Sequence, residues 1–220
     1  MRLASEGTLP RRLDLTAVEA ALHRAQAELG RPGDRDPLDD RVRDNLLAGY
    51  AYVDGLVATS VDPFALGHLR HLLELNCLVL CGDSPERRVA YASHLQANEE
   101  RFYGLDVAGV RDVVEWVAGH PDAPACDRAA GVYAMILGRP QLFIEGNHRT
   151  GVLAMSYVLA REGRPPFVLA PENAAPYFEI SAELRDVGKH SPASWFRLSA
   201  LIARLAALLA EDAARPGPRG

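Results

Sequence analysis

The sequence predicts an all-α protein that forms a single helical domain. Apolar residues recur at helical spacing in successive segments of the 220 residues, and no stretch alternates apolar and polar residues for long enough to form a sheet. Apolar residues make up 48% of the chain, which is enough to fill a sizeable core. These patterns favour a helical bundle with helical extensions at both the N-terminal and the C-terminal end.

The helices of the first half have recognisable start signals. Thr16 and Glu19 form a capping-box pattern ahead of AVEAALHRAQAEL, and the next helix, DDRVRDNLLAGYAYVDGLVA, spaces its apolar residues for one buried face. DPFALGHLRHLLELNCLVLCG is the most apolar segment and is predicted to be a central helix. Ser84 and Pro85 read as the N-cap and first residue of a helix over ERRVAYASHLQANEERF.

The second half continues as helices around one distinctive loop. VRDVVEWVAG and ACDRAAGVYAMILG are predicted helices before the loop, and GVLAMSYVLAREG is the helix after it. RPPFVLAPENAAPYFEIS is predicted to combine a short extended piece with a short helix. The final helix has an apolar stripe from Trp195 to Leu209, which indicates packing on the core or a homodimer surface.

Three regions follow from this pattern. Residues 1–13 are predicted to be a flexible N-terminal segment, residues 14–210 the helical domain, and residues 211–220 a flexible tail.

Composition excludes several classes of function. A net charge of −5 argues against a nucleic-acid partner. The sequence contains no apolar run of 18 residues, so no membrane span is expected. The N-terminus lacks the apolar core of a secretory signal. Three cysteines fit the reducing cytoplasm, which is the predicted location.

Cys77 and Cys81 lie on one helix face, where buried thiols are expected and a metal site is the alternative.

The stretch QLFIEGNHRTG, Gln141 to Gly151, contains the residues that indicate a binding or catalytic site. Gly146 and Asn147 allow a tight turn, and a helix starting near Asn147 would point its N–H groups into that turn as an anion site. Arg149 adds a forked donor for phosphate oxygens, and Glu145 is placed to hold a Mg²⁺ that bridges phosphates. The alternative is an interhelix turn with an Asn cap and a Glu–Arg surface pair.

LFIEGNHRTG resembles the signature loop of the Fic/Doc (Fido) family, HPFx(D/E)GNGRxxR. The resemblance covers residues 107–160, which form the motif core, and it implies a Fic-like helical bundle. Most members of this family bind ATP and transfer AMP to a hydroxyl of a target protein, which is a nucleotidyltransferase reaction called AMPylation. Others transfer phosphate or another phosphate-linked group. Many members form homodimers.

The resemblance also implies roles for individual residues. Phe143 would anchor the loop in the core, Glu145 would coordinate Mg²⁺, and Arg149 would grip the outer phosphates. Three consecutive positions would form the anion hole: Gly146, Asn147 and the backbone of His148.

Departures from the family motif change the expected chemistry. Gln141 stands where the family has its catalytic His, and a Gln amide cannot take a proton near neutral pH. Such a base contributes roughly 10²- to 10⁴-fold in rate. His148 is the candidate substitute, with phosphate contact and a capping role as alternatives. Leu142 replaces the family's Pro, and Val152 replaces its second Arg.

The regulatory parts of the family pattern are also missing. No Glu fits the inhibitory pattern (S/T)xxxE(G/N), and FYGLDVAG leaves little room for the β-hairpin flap that holds a target segment. Three functions remain: a transferase with altered chemistry, an inactive nucleotide-binding regulator, and a protein-interaction module. The first two use a nucleotide or another phosphate-bearing small molecule as ligand.

Overall fold

The computed structural model of the protein describes residues 9–29, 38–104 and 109–215. Across these ranges the fold is all-α, with a single isolated bridge between Arg139 and Gly188 and no strand. In chain order the helices are α1 (Leu15–Leu29), α2 (Asp40–Ala58), α3 (Arg70–Cys81), α4 (Pro85–Ala90), α5 (Ala92–Phe102), α6 (Arg111–Gly119), α7 (Ala125–Leu137), α8 (Asn147–Arg161), α9 (Pro171–Asp186) and α10 (Trp195–Ala214). A 3₁₀ turn, Pro192–Ser194, precedes α10. The predicted all-α single domain is confirmed.

Helices α7 and α8 form the centre of the bundle. Every residue from 129 to 137 and from 150 to 160 is buried. The two helices come very close at Gly151, where an added Cβ would lie 2.7 Å from Cδ2 of Tyr133. The loop that joins α7 to α8 therefore starts and ends in the best-packed part of the protein.

Four predicted helices differ from the observed ones. Helix α1 already starts at Leu15, where Asp14 Oδ1 accepts from Ala17 N (3.0 Å), so Thr16 lies inside the helix and the predicted capping box is wrong. Residues 62–69 form turns, in which Phe64 N donates to Asp62 Oδ1 (2.9 Å), so the central helix starts at Arg70 and not at Asp62. The helix predicted after Ser84 is divided at Tyr91 into α4 and α5. The segment predicted as partly extended contains the long helix α9, whose start is fixed by Asn173 through bonds to Ala170 N and Val168 O (both 2.9 Å).

Helix α10 packs on the core with one face. Its buried residues are Leu198, Leu201, Ile202, Leu205, Ala206, Leu208 and Leu209. Trp195 and Phe196 are exposed, the latter at 84%. Pro192–Ala214 is the one described segment that is long and apolar enough to cross a membrane, with mean hydropathy 1.4, and a helix that fills a protein core passes the same test.

The chain ends extend the helical domain. Arg12 Nε donates to Asp54 Oδ1 (2.7 Å) and Leu13 N donates to the same oxygen (2.9 Å), so residues 12–13 are attached to α2. Arg11 N donates to Ala160 O in α8 (2.8 Å). Helix α10 continues to Ala214, past the predicted boundary at 210. Residues 1–8 and 216–220 of the segments predicted to be flexible, and residues 105–108 of FYGLDVAG, lie outside the described residues.

The cysteines are buried and free, as expected for structural thiols. Burial raises the pKa of the Cys77 thiol to about 11 and also raises the pKa of Cys81 and Cys126. These thiols therefore stay protonated near neutral pH.

Candidate functional site

The turn at the start of α8 has the geometry predicted from the sequence. Gly146 adopts a left-handed conformation with φ of +79°, and α8 begins at Asn147. The first intrahelical hydrogen bond runs from Thr150 N to Gly146 O (2.9 Å). The N–H groups of residues 147–149 precede that bond and lie at the positive end of the helix dipole, which is the part of a helix that attracts anions.

The Asn147 side chain holds the loop together and does not reach outward for a ligand. It is 4% exposed; its Oδ1 accepts from Phe143 N (2.8 Å) and its Nδ2 donates to Phe143 O (2.9 Å). Nδ2 also lies 3.4 Å from Oε1 of Gln141. What Asn147 offers an anion is therefore its main-chain N–H.

Two buried asparagines from distant helices hold the middle of the loop, and neither was predicted from the sequence. Asn76 Nδ2 donates to Glu145 O (2.9 Å) and to Thr150 Oγ1 (3.1 Å). Asn98 Nδ2 donates to Asn76 Oδ1 (2.9 Å), and Asn98 Oδ1 accepts from Ile144 N (2.8 Å). Each asparagine is 1% exposed. The one available signal was Asn76 within the apolar run LELNCLVL. An amide buried in such a run needs hydrogen-bond partners, which indicates a structural role.

Arg101 and Phe143 fix the first part of the loop against α5. The Arg101 guanidinium donates to Gln141 O from Nε (3.0 Å) and from Nη2 (2.7 Å). Phe143 is buried and stacks on Phe102 with ring centroids 5.6 Å apart, as expected for a core anchor. Since side chains from α3, α5 and α8 all hold its backbone, the loop is preorganised.

His148 is oriented by a buried hydroxyl cluster. Its Nδ1 lies 3.1 Å from the Tyr133 hydroxyl, which also contacts Tyr177 Oη (2.9 Å) and Ser181 Oγ (2.8 Å). Burial raises the pKa of Tyr133 well above its ordinary value, so this hydroxyl stays protonated. Because Nδ1 of His148 faces Tyr133, Nε2 faces away from this hydroxyl.

Arg149 contacts the end of α3 as well as the site. Its Nη1 donates to Val79 O (3.1 Å), a carbonyl in the last turn of α3 that also accepts from Asn45 Nδ2 (3.2 Å). A cation at a helix C-terminus is favourable in its own right. Arg149 therefore has a structural role beside its predicted phosphate contact.

A cleft of about 640 Å³ opens at the N-terminus of α8. Its polar side consists of residues 145–149 together with Tyr177, Ser181 and Arg185. Its apolar side includes Leu22, Val42, Leu46, Val152 and Phe178. This volume, with a few polar groups facing an apolar wall, is typical of a small-molecule site.

Gln141 lies beside a different cavity. It lines an open groove of about 680 Å³ and is not among the residues that line the cleft. Arg185 lines both cavities. Of the sequence-predicted residues, the structure thus brings Glu145, Gly146, Asn147, His148 and Arg149 to one cleft and leaves Gln141 at the neighbouring groove.

Glu145 is the one predicted metal ligand. It is exposed at the cleft, with Oε2 3.7 Å from Nε2 of His94. The described residues contain no group of three His, Cys, Asp or Glu that could hold a metal ion. A single carboxylate fits Mg²⁺ in the mode where phosphates and water supply the other ligands, and it does not fit a site built from protein groups alone.

Comparisons with known proteins add no assignment. The chain matches no family model, and it matches no curated protein significantly. The likeness to the Fic/Doc family is therefore a prediction that rests on the motif residues.

Gly146→Ala is expected to lower the free energy of unfolding by about 2 kcal/mol, because the left-handed conformation costs a non-glycine residue about 1–2 kcal/mol. The added Cβ would also lie 2.9 Å from Nδ2 of Asn76, which its hydrogen bonds hold in place. Urea denaturation of the purified chain measures the change. Gly55→Ala is the matched control, since nothing lies within 4 Å of its added Cβ inside α2, and it should be neutral or stabilising. Equal changes in the free energy of unfolding for the two variants would contradict the claim that the turn requires glycine at position 146.

Proposed function

We propose that the cleft binds a nucleotide, ATP in the first instance, together with Mg²⁺, and that the protein transfers a phosphate-linked group from it to an acceptor. The observation that carries the proposal is the immobilised turn at Gly146, which aims the start of α8 into a cleft of mixed polarity. The motif resemblance supports the same ligand.

The cleft has separate regions for the two halves of a nucleotide. Phosphates would lie against the main-chain N–H groups at the start of α8, between the guanidinium groups of Arg149 and Arg185. The base would lie on the apolar wall that Val42, Leu46 and Phe178 help to form. A site that held only phosphate would not need this wall.

Mg²⁺ would be held by Glu145 together with phosphate oxygens. When bound there, it would neutralise phosphate charge and favour the departure of the leaving phosphate group. The Asn76 bond to Glu145 O fixes the backbone at this residue, so its carboxylate starts from a defined position.

His148 is the residue proposed to handle a proton. It lines the cleft, and the Tyr133 hydroxyl holds its ring at Nδ1. Its Nε2 would contact phosphate as imidazolium or take a proton from the acceptor as a neutral imidazole. The proposed acceptor is a hydroxyl of a target protein, and the proposed setting is the cytoplasm.

Nucleotide binding without transfer is the second candidate function, that of an inactive regulator. A specific observation favours it: Gln141 cannot accept a proton, and it lines the groove and not the cleft. The two candidates share the ligand and differ in whether any group leaves it.

Arg149→Ala is expected to weaken nucleotide binding by about 1.5–3 kcal/mol, the range for a hydrogen bond to a charged group. Arg161→Ala, about 18 Å away at the other end of α8, is the matched control and should bind normally. Equilibrium dialysis with labelled ATP and Mg²⁺ measures both. Because Arg149 also bonds to Val79 O, thermal unfolding of each variant must show that the protein is folded under these conditions. Unchanged affinity in folded Arg149→Ala would contradict its phosphate role.

A further inference from the structure

The open groove beside Gln141 is a second concave surface with a chemistry of its own. It lies between the loop after α7, the C-terminal end of α9 and the turn that follows α9. The residues that line it are Arg101, Arg139, Pro140, Gln141, Arg185, Gly188, His190 and Ser191. None of these described lining residues is acidic.

The groove concentrates positive charge on a protein whose net charge is −5. Three of its lining residues are arginines, and His190 adds an imidazole. Arg139, Arg185 and His190 are exposed, so the two guanidinium groups and the imidazole can reach a ligand. Arg101 donates to the neutral carbonyl of Gln141, which leaves its positive charge uncompensated by that bond.

Two carboxylates lie at the edge of the groove, and neither removes its positive charge. Asp186 pairs with Arg139 at 3.1 Å, but both side chains are more than half exposed, and such surface pairs contribute little. Asp112 lies 3.0 Å from His190 Nε2, and its other oxygen is 2.8 Å from Nζ of Lys189. Asp112 therefore shares its carboxylate between Lys189 and His190.

The backbone of the groove is fixed before any ligand arrives. Arg139 N donates to Val187 O, and Lys189 N donates to Arg139 O, both at 2.8 Å. The Lys189 side chain is 2% exposed, and its Nζ donates to Met135 O in α7 (2.8 Å). The loop and the turn after α9 are thus joined as one unit.

We propose that this groove is a binding site for the phosphate group of a small phosphomonoester. Guanidinium forks match phosphate oxygens in geometry, and here Arg139, Arg185 and His190 would contact one compact anion from several sides. The net charge of −5 disfavours a long polyanion such as a nucleic acid, whereas a compact anion meets mainly the local field of the groove. The groove shares Arg185 with the cleft, whereas Arg139 and His190 line the groove alone. Its existence therefore does not depend on nucleotide binding in the cleft.

Titration of the full chain with phenyl phosphate, followed by amide NMR, tests the proposal. The expected result is a saturable shift of the amide signals of residues 139, 141 and 188–191. The double variant Arg139→Ala/His190→Ala should weaken binding at least about tenfold, the lower limit for losing a hydrogen bond to a charged group. Arg204→Ala, an exposed arginine on α10 away from the groove, should leave the titration unchanged.

Three results would overturn the proposal. They are no saturable shift at these residues, shifts confined to residues 146–149 of the cleft, and full affinity in the double variant while it is folded. The second result would support anion binding in the cleft while removing the groove site. A groove that binds phenyl phosphate in a chain that binds no nucleotide would remove the proposed function and leave this site standing.

Discussion

Gln141→His is expected to create or raise the transfer of AMP from ATP to the protein itself, by no more than the roughly 10²- to 10⁴-fold that a positioned base supplies. The backbone at this residue is already fixed, because Arg101 holds Gln141 O with two hydrogen bonds. The Gln141 side chain lies 3.4 Å from the Asn147 amide, next to the start of α8. An imidazole at this position would therefore start close to the proposed phosphate site. Transfer of radiolabel from α-labelled ATP measures the gain.

Two further variants separate the base from other effects of the substitution. Gln141→Asn keeps an amide and should show no gain, since an amide takes no proton. Glu145→Ala added to Gln141→His should abolish the gain, because the proposed metal ligand is lost. An equal gain in Gln141→Asn would contradict the base argument. No gain in Gln141→His, with ATP still bound, would favour the inactive regulator over the transferase.

Asn76→Ala is expected to lower the free energy of unfolding by about 3 kcal/mol and to abolish nucleotide binding. The Asn76 side chain satisfies Glu145 O, Thr150 Oγ1 and Asn98 Nδ2 at the same time. A buried polar group left without a partner costs about 1–3 kcal/mol, and this substitution leaves several. The loop would then lose the bond that fixes it next to Gly146. Urea denaturation and ATP binding measure the two effects.

Gln96→Ala provides the control for Asn76→Ala. Gln96 is an exposed amide on α5 whose bond to Glu100 lies on the surface, so its loss should change stability by less than about 0.5 kcal/mol. The Asn98→Ala variant completes a double-mutant cycle, in which the two buried asparagines should be strongly non-additive. Additive effects would show that the asparagines do not act as one network.

Local sequence signals were sufficient to predict the helical architecture and the turn at Gly146. Helical periodicity predicted the all-α fold, and Gly146 followed by Asn147 predicted a helix start that the structure has at that residue. Such signals depend on neighbours in sequence, which is why they work without tertiary information. They underestimated the length of α9, which was predicted only as a short helix, and they missed the division at Tyr91, where two helices meet.

The surroundings of the loop could not be predicted because they come from distant parts of the chain. Asn76 and Asn98 belong to α3 and α5, and nothing in their local sequence says that they meet at Ile144 and Glu145. The motif alone placed Gln141 with the phosphate ligands, whereas in the folded loop it lines the neighbouring groove and approaches the start of α8 only through Asn147 Nδ2, 3.4 Å from its Oε1. Motif residues can be assigned from sequence, but the cavity that each one faces depends on the packing of α5 and α9 around the loop.

Calorimetric titration of the full chain with nucleotides in the presence of Mg²⁺ tests the central claim most directly. ATP, GTP, CTP, UTP and their diphosphates would each be titrated up to millimolar concentration. The account predicts saturable binding of at least one of them, with one site per chain, and loss of that binding in Asn76→Ala. If none of these nucleotides gave a heat of binding, the assignment of the cleft as a nucleotide-binding site would be contradicted.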